Sequence, residues 1–216
     1  MSTPPTSLAA QRPLPRLHGR VDAVVIGGSA GAVHGLDALL PALPQPLAVP
    51  VFVVLHQPRD RGMAPNIFVR LFESRIAARL REPDDKEPVV PGTVYFAPAD
   101  YHLLVDRERD GTAWISLAAD EPLHFCRPSI DVLFDSAVRA YGPRLAAVLL
   151  SGANEDGADG LAAVHAAGGL AAVQQPGEAL AAEMPQAALD RAEPDAVLPL
   201  AGLARWLRTL DAGSAP

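Results

Sequence analysis

One cysteine, Cys126, stands in a chain of 216 residues, so no disulfide can form within it. That usage fits a reducing compartment, and a cytoplasmic protein is expected. No apolar run reaches the roughly 20 residues that span a bilayer, so membrane insertion is not expected. Positive charge is outnumbered: 18 Lys and Arg against 25 Asp and Glu leave a formal net charge of −7. Such a balance argues against nucleic acid or an anionic lipid surface as the main partner. The first twenty residues hold no acid and no continuous apolar core, which argues against a secretory signal. They read as a disordered lead over 1–20, and residues 211–216 read as a loose tail. A G-x-G-x-x-G fingerprint and a Walker lysine are both absent from 26–36.

What is present alternates. VDAVVIG, VPVFVVLH, RLAAVLLSG, LAAVQQ and AVLPL read as strands, several of them near-continuous apolar runs of the kind buried on both faces. Helical spacing falls at 32–42, 64–75, SIDVLFDSAVRAYG, DGADGLAAVHAAG, MPQAALDRA and LARWLRTL. The section 88–120 reads as an antiparallel insertion, with PGTVYFAP as a short strand and a hairpin turned at RDG. The expected fold class is α/β: a doubly wound, mostly parallel sheet, helices on both faces, and an antiparallel hairpin at the edge. The 22 prolines sit mostly at element ends, so 21–210 reads as one domain.

In open parallel sheets, reacting groups gather at the carboxyl ends of strands. The first strand runs into Gly27-Gly28-Ser29-Ala30-Gly31, the second ends at His56, and RLAAVLL runs into a loop containing Asp156. One serine, one histidine and one carboxylate are the inventory of a Ser-His-Asp triad. A hydroxyl is a weak nucleophile until a neutral imidazole takes its proton, and a carboxylate orients that imidazole. Residues 27–31 fit a G-x-S-x-G elbow, whose following amides open a helix and face a developing oxyanion. The same glycine-rich turn suits a phosphate, so a phosphate- or nucleotide-binding module stays open at this point. Asp156 has a competing role as N-cap of the helix opened by DGADGL, and Glu155 is the alternative carboxylate.

The motifs VVIGGSAG (24–31), VVLHQP (53–58), PGTVYFAPADYHL (91–103), FCRPSIDVLFDSA (125–137), AAVLLSGANEDGADGL (146–161) and MPQAAL (184–189) occur in this order. Together they resemble the catalytic domain of the CheB family of chemotaxis protein-glutamate methylesterases. The resemblance implies hydrolysis of γ-glutamyl methyl esters on chemoreceptor-type proteins, often with glutamine deamidation. It places the nucleophile on Ser29, the base on His56 and the carboxylate on Asp156. It assigns the oxyanion hole to the backbone amides of Ala30 and Ala153, where the family usually has a hydroxyl residue and a methionine. No cofactor and no metal are implied. The expected partner is a methylated receptor-type protein. Family members usually carry a receiver domain ahead of the esterase, so a separate regulatory protein is expected here. A member that keeps the fold without turnover is the remaining alternative.

Arg127 is a candidate contact for an acidic receptor segment, and Met184 for the substrate pocket, though core packing competes for the methionine. Cys126 lacks an elbow of its own. His34, His102, His124 and His165 show no metal-ligand spacing. The charged run at 81–88 reads as a solvated loop.

Overall fold

A computed structural model describes residues 17, 21–57 and 66–210. Seven strands form one wholly parallel sheet: β1 (Ala23–Gly28), β2 (Val51–Leu55), β3 (Arg79–Arg81), β4 (Thr93–Phe96), β7 (Leu145–Leu149), β8 (Leu170–Gln174) and β9 (Ala196–Leu198), in the order 3-4-2-1-7-8-9. A hairpin, β5 (His102–Arg107) and β6 (Ala113–Ala118), forms a separate antiparallel sheet. Among the described residues six α-helices complete the fold: α1 (Ala32–Leu39), α2 (Ile67–Phe72), α3 (Ile130–Tyr141), α4 (Ala158–Ala166), α5 (Glu183–Arg191) and α6 (Leu200–Leu207). Among the described residues no helix is long and apolar enough to cross a membrane.

Period-two alternation divides the core. Val24, Ile26, Val51 and Val53 face one layer with Leu36 of α1, Phe72 of α2 and Leu203 of α6. Ala23, Val25, Phe52 and Val54 face the other, with Phe134 of α3, Leu161 of α4, Ala188 of α5 and Val105 and Ile115 of the hairpin. Both layers are apolar, which is why the strands read as continuous runs.

Two expectations need correction. Thr93–Phe96, assigned to the antiparallel insertion, lies in the main sheet, parallel to β2, and is fully buried. The expected hairpin forms a two-stranded sheet of its own and packs on α3, where Ser136 Oγ accepts from the Val105 amide at 3.1 Å. The edges of the described sheet are β3 and β9, and β3 falls at the border of the supposed loop. Three residues with two arginines carry little strand signal, and short charged edges resist pairing with other chains. The described part of the helix expected over 64–75 is α2, opened by Asn66, whose Oδ1 accepts from the Phe68 amide at 3.0 Å. Of the expected lead, only Leu17 is described. It is buried in the core, and its amide donates to Thr209 Oγ1 at 2.8 Å. The rest of 1–20 and the tail 211–216 lie outside the described residues.

The chain runs from β1 outward to β2 and β4, then returns through α3 to β7 on β1's other side. The carboxyl ends of β1, β2 and β7 therefore meet at the topological switch point. Helix α3 reaches them because Gly27 lets Ile130 sit directly on β1; a Cβ at Gly27 would overlap Ile130 Cγ2. Gly27→Ala should cost about 1–3 kcal/mol by overpacking. In an Ile130→Ala background it should cost less, with a coupling of ~0.5–3 kcal/mol in urea unfolding. Strictly additive costs would contradict this packing.

Candidate active site

Ser29 leaves β1 where Gly28 pairs with Leu55, so it stands beside His56, the residue that leaves β2. Neighbouring strands lie about 4.8 Å apart. The turn is stitched on both sides: the His56 amide donates to Gly28 O at 3.1 Å, and the Ser29 amide to Ser151 O at 2.9 Å. Gly31 opens α1 with φ 82°, a left-handed conformation that glycine adopts without strain. Ala30 is exposed, and among the described residues neither its amide nor that of Ala153 donates a hydrogen bond.

Ser151, not singled out in the sequence, braces this turn. Its hydroxyl donates to Ala30 O at 2.6 Å and accepts from the Ala181 amide at 2.9 Å, while its own amide donates to Gln174 Oε1 at 2.8 Å. A serine followed by glycine at the end of the third central strand was the available signal.

His56 and Asp156 meet directly, with Nε2 2.7 Å from Oδ2. A carboxylate only accepts, so Nε2 donates here, and in the neutral imidazole the lone pair falls on Nδ1. That nitrogen faces the sulfur of Cys126 at 3.4 Å, and Asn154 Nδ2 donates to the same sulfur at 3.4 Å. Ser29 Oγ makes no hydrogen bond to His56 in this arrangement. Burial, then the negative charge of Asp156, raise the Cys126 thiol above its ordinary range, so it is a neutral neighbour of the imidazole.

Asp156 does not cap the helix that follows it. Gly157 occupies that N-cap position, with φ 93° and no side-chain cap. The fully buried carboxylate instead lies against the N-terminus of α3. Oδ1 accepts from Ser129 Oγ at 2.8 Å and the Asp131 amide at 3.1 Å, and Oδ2 accepts from the Ile130 amide at 2.7 Å. Burial alone would raise this carboxyl, but the His56 hydrogen bond and the two amides outweigh it and hold it below the usual range. Glu155 points away to Arg191, 2.6 Å from its Oε2. One residue into α3, Asp131 is also buried. Its burial, with the charge of Asp156 adding, pushes it up to about 6 despite a 2.7 Å hydrogen bond from the Gly160 amide.

The two other candidates, Arg127 and Met184, make contacts within the fold. Four N–H groups of Arg127 are spent on Asp100 Oδ1, twice, and on the carbonyls of Ala119 and Asp120. Met184 is fully buried beneath the loop that holds Ala153, so close to Gly152 that a Cβ there would lie 2.6 Å from its sulfur.

The sequence pattern of the CheB methylesterase family matches residues 24–207. A putative protein-glutamate methylesterase/protein-glutamine glutaminase of Leptospira interrogans is 38% identical over 147 residues, 68% of this chain and 72% of that protein. The corresponding methylesterase/glutaminase of a Nocardioides species is 43% identical over 141 residues, 63% of this chain but 36% of that longer protein. The crystal structure of the Thermotoga maritima CheB methylesterase catalytic domain superposes with a TM-score of 0.81 at 31% identity, covering 88% of this chain and 99% of that one.

Two predictions follow from the carboxylates. Both oxygens of Asp156 accept two donors, so an amide there must turn an NH2 toward an N–H or O–H. Asp156→Asn should fold but lose roughly 1.5–3 kcal/mol in urea unfolding; an unchanged midpoint would contradict the α3 contact. Asp131 keeps its proton to a higher pH folded than unfolded, where a carboxyl titrates near about 4. Its contribution is therefore full below about pH 4 and falls as pH rises toward 6. Asp156 runs the other way, contributing above about pH 4 and losing that as acid protonates it. The stability of Asp131→Asn relative to the wild type should accordingly rise between about pH 4 and 6 and then level; a constant difference would refute this.

Proposed function

The chain belongs to the CheB methylesterase family, and on that premise we propose that it is a protein-glutamate methylesterase using Ser29, His56 and Asp156. Its substrates on this reading are γ-glutamyl methyl esters on chemoreceptor-type proteins, with side-chain amides of glutamine as a second class. The observation that carries the proposal is the 2.7 Å contact between His56 Nε2 and the buried Asp156 carboxylate, beside the Ser29 elbow.

That contact supports one route for the proton. Asp156 keeps the proton on Nε2, so Nδ1 is the base. A rotation of the Ser29 side chain brings Oγ to Nδ1 in place of the long sulfur contact. Oγ attacks the ester carbonyl as Nδ1 takes its proton, and the imidazolium is stabilised through Nε2 by the carboxylate. The carbonyl oxygen becomes an oxyanion, met by the free amides of Ala30 and Ala153. Both contacts come from backbone, so alanine supplies them as well as a larger residue would. Collapse expels methoxide, which takes the proton from Nδ1 and leaves as methanol. Water then attacks the glutamyl-serine ester, with Nδ1 again the base, and frees glutamate and Ser29. For glutamine the first leaving group is ammonia. A phosphate reading of the 27–31 turn gives the buried imidazole–carboxylate pair nothing to do.

Ser29→Ala should abolish methanol release from methylated receptor fragments, a loss on the order of 10³-fold or more, with the melting temperature kept. Cys126→Ala should stay within about tenfold of wild type, because a neutral, partly buried thiol is not the nucleophile. Retained turnover in Ser29→Ala, with loss in Cys126→Ala, would move the nucleophile to the thiol and overturn the assignment.

A further inference from the structure

Leu123 and Cys126 exchange two backbone hydrogen bonds, of 3.2 and 2.8 Å, and close a two-residue turn. Its central residues, His124 and Phe125, have φ of 49° and 63°. Such turns ordinarily draw Asn and Gly. Here the turn sends the imidazole of His124 inward between two carboxylates. Its Nε2 lies 3.4 Å from Asp131 Oδ2, and its Nδ1 lies 3.6 Å from Glu155 Oε1. Beside it is a cavity of about 320 Å³ lined by His124, Asp131, Asp159, Leu123, Val132 and Gly160.

Charge at this place is unbalanced. Asp131, Glu155, Asp156 and Asp159 crowd the ends of α3 and α4. The guanidinium of Arg191 reaches Glu155 and Asp159, 2.6 Å from each, but no guanidinium or ammonium among the described residues pairs with Asp131. Asp131 is 7% exposed, and its Oδ1 is taken by the Gly160 amide, leaving Oδ2 turned to the imidazole.

We propose that His124 Nε2, Asp131 Oδ2 and the carboxylate of Asp159 form a binding site for a divalent transition cation of the Zn²⁺ type. Candidate donor atoms of the three residues all lie within 4.8 Å of one another. Two donors bound at about 2.0–2.2 Å with a tetrahedral angle sit roughly 3.3–3.5 Å apart, which matches the 3.4 Å between His124 and Asp131. Asp159 is exposed and closes the remaining gap by a side-chain rotation, using the oxygen that Arg191 does not hold. Glu155, 3.6 Å from Nδ1, would serve as the outer carboxylate by closing to hydrogen-bond distance, which favours the proton on Nδ1 and the Nε2 lone pair toward the metal. One imidazole with two carboxylates selects Zn²⁺-like ions over Mg²⁺, which prefers oxygen donors and its own water. Three protein ligands leave a coordination position to water. The ligands are 7 and 28 residues apart in sequence, so no local spacing reveals them.

The bound cation would tie the 123–126 turn, and with it Cys126 against His56, to the α3 N-terminus that holds Asp156. The site itself does not depend on the esterase reading.

The test is isothermal titration of the untagged full chain with Zn²⁺ at pH 7, where Asp131 is ionised. The wild type should bind one Zn²⁺. His124→Asn and Asp159→Asn should weaken binding by at least the ~10–100-fold that loss of an outer partner alone costs. Asparagine suits the left-handed turn, so His124→Asn should keep the circular dichroism and melting of the wild type. Cys126→Ala should bind Zn²⁺ as the wild type does. Absence of uptake by the wild type, unchanged affinity in His124→Asn, or loss in Cys126→Ala would each overturn the proposal, the last by placing the ion on His56.

Discussion

A single buried carboxylate organises this molecule. Asp156 sits on the N-terminus of α3, where its charge meets two backbone amides and the Ser129 hydroxyl, and its fourth partner is His56. Four donors and the partial positive charge of a helix end offset the cost of taking an anion out of water. Remove them and a carboxyl at this depth would be neutral and could not hold an imidazolium. The same contact is a tertiary tie: it joins the loop after β7 to the helix that crosses back over the sheet. Fold and site therefore share one set of hydrogen bonds.

The serine side is built differently. There the turn is held by two backbone hydrogen bonds, Ser29 to Ser151 and His56 to Gly28, and by the Ser151 hydroxyl on Ala30 O. Among the described residues that frame leaves the Ala30 and Ala153 amides without acceptors, which on the proposed reading suits them to a developing oxyanion. Arg127 shows the converse. An exposed-looking arginine in a site-proximal motif turns out to anchor carbonyls and Asp100, a role its sequence neighbours do not advertise.

Much of this was legible from the chain alone. Runs such as VFVVL and LAAVL announce buried parallel strands, and strand ends then bring Ser29, His56 and the 151–157 loop to one place. What stayed hidden depends on partners distant in sequence. The strand character of TVYF was visible, but its parallel pairing with β2 was not, since neighbouring hairpin signals suggested a local antiparallel partner. A capping role for Asp156 was visible, but the helix it serves was not, because α3 begins 26 residues earlier. Ser129 and the Cys126 contact to His56 carry no periodic signal; the packing of α3 over β1 places Ser129 on Asp156.

The central claim is that the His56–Asp156 pair activates Ser29 and not its sulfur neighbour. Covalent trapping with a fluorophosphonate, followed by peptide mass mapping, tests it most directly. The account predicts one adduct, on Ser29, with labelling lost in His56→Ala. An adduct on Cys126, or a protein that releases methanol from methyl esters while Ser29 stays unlabelled, would contradict it.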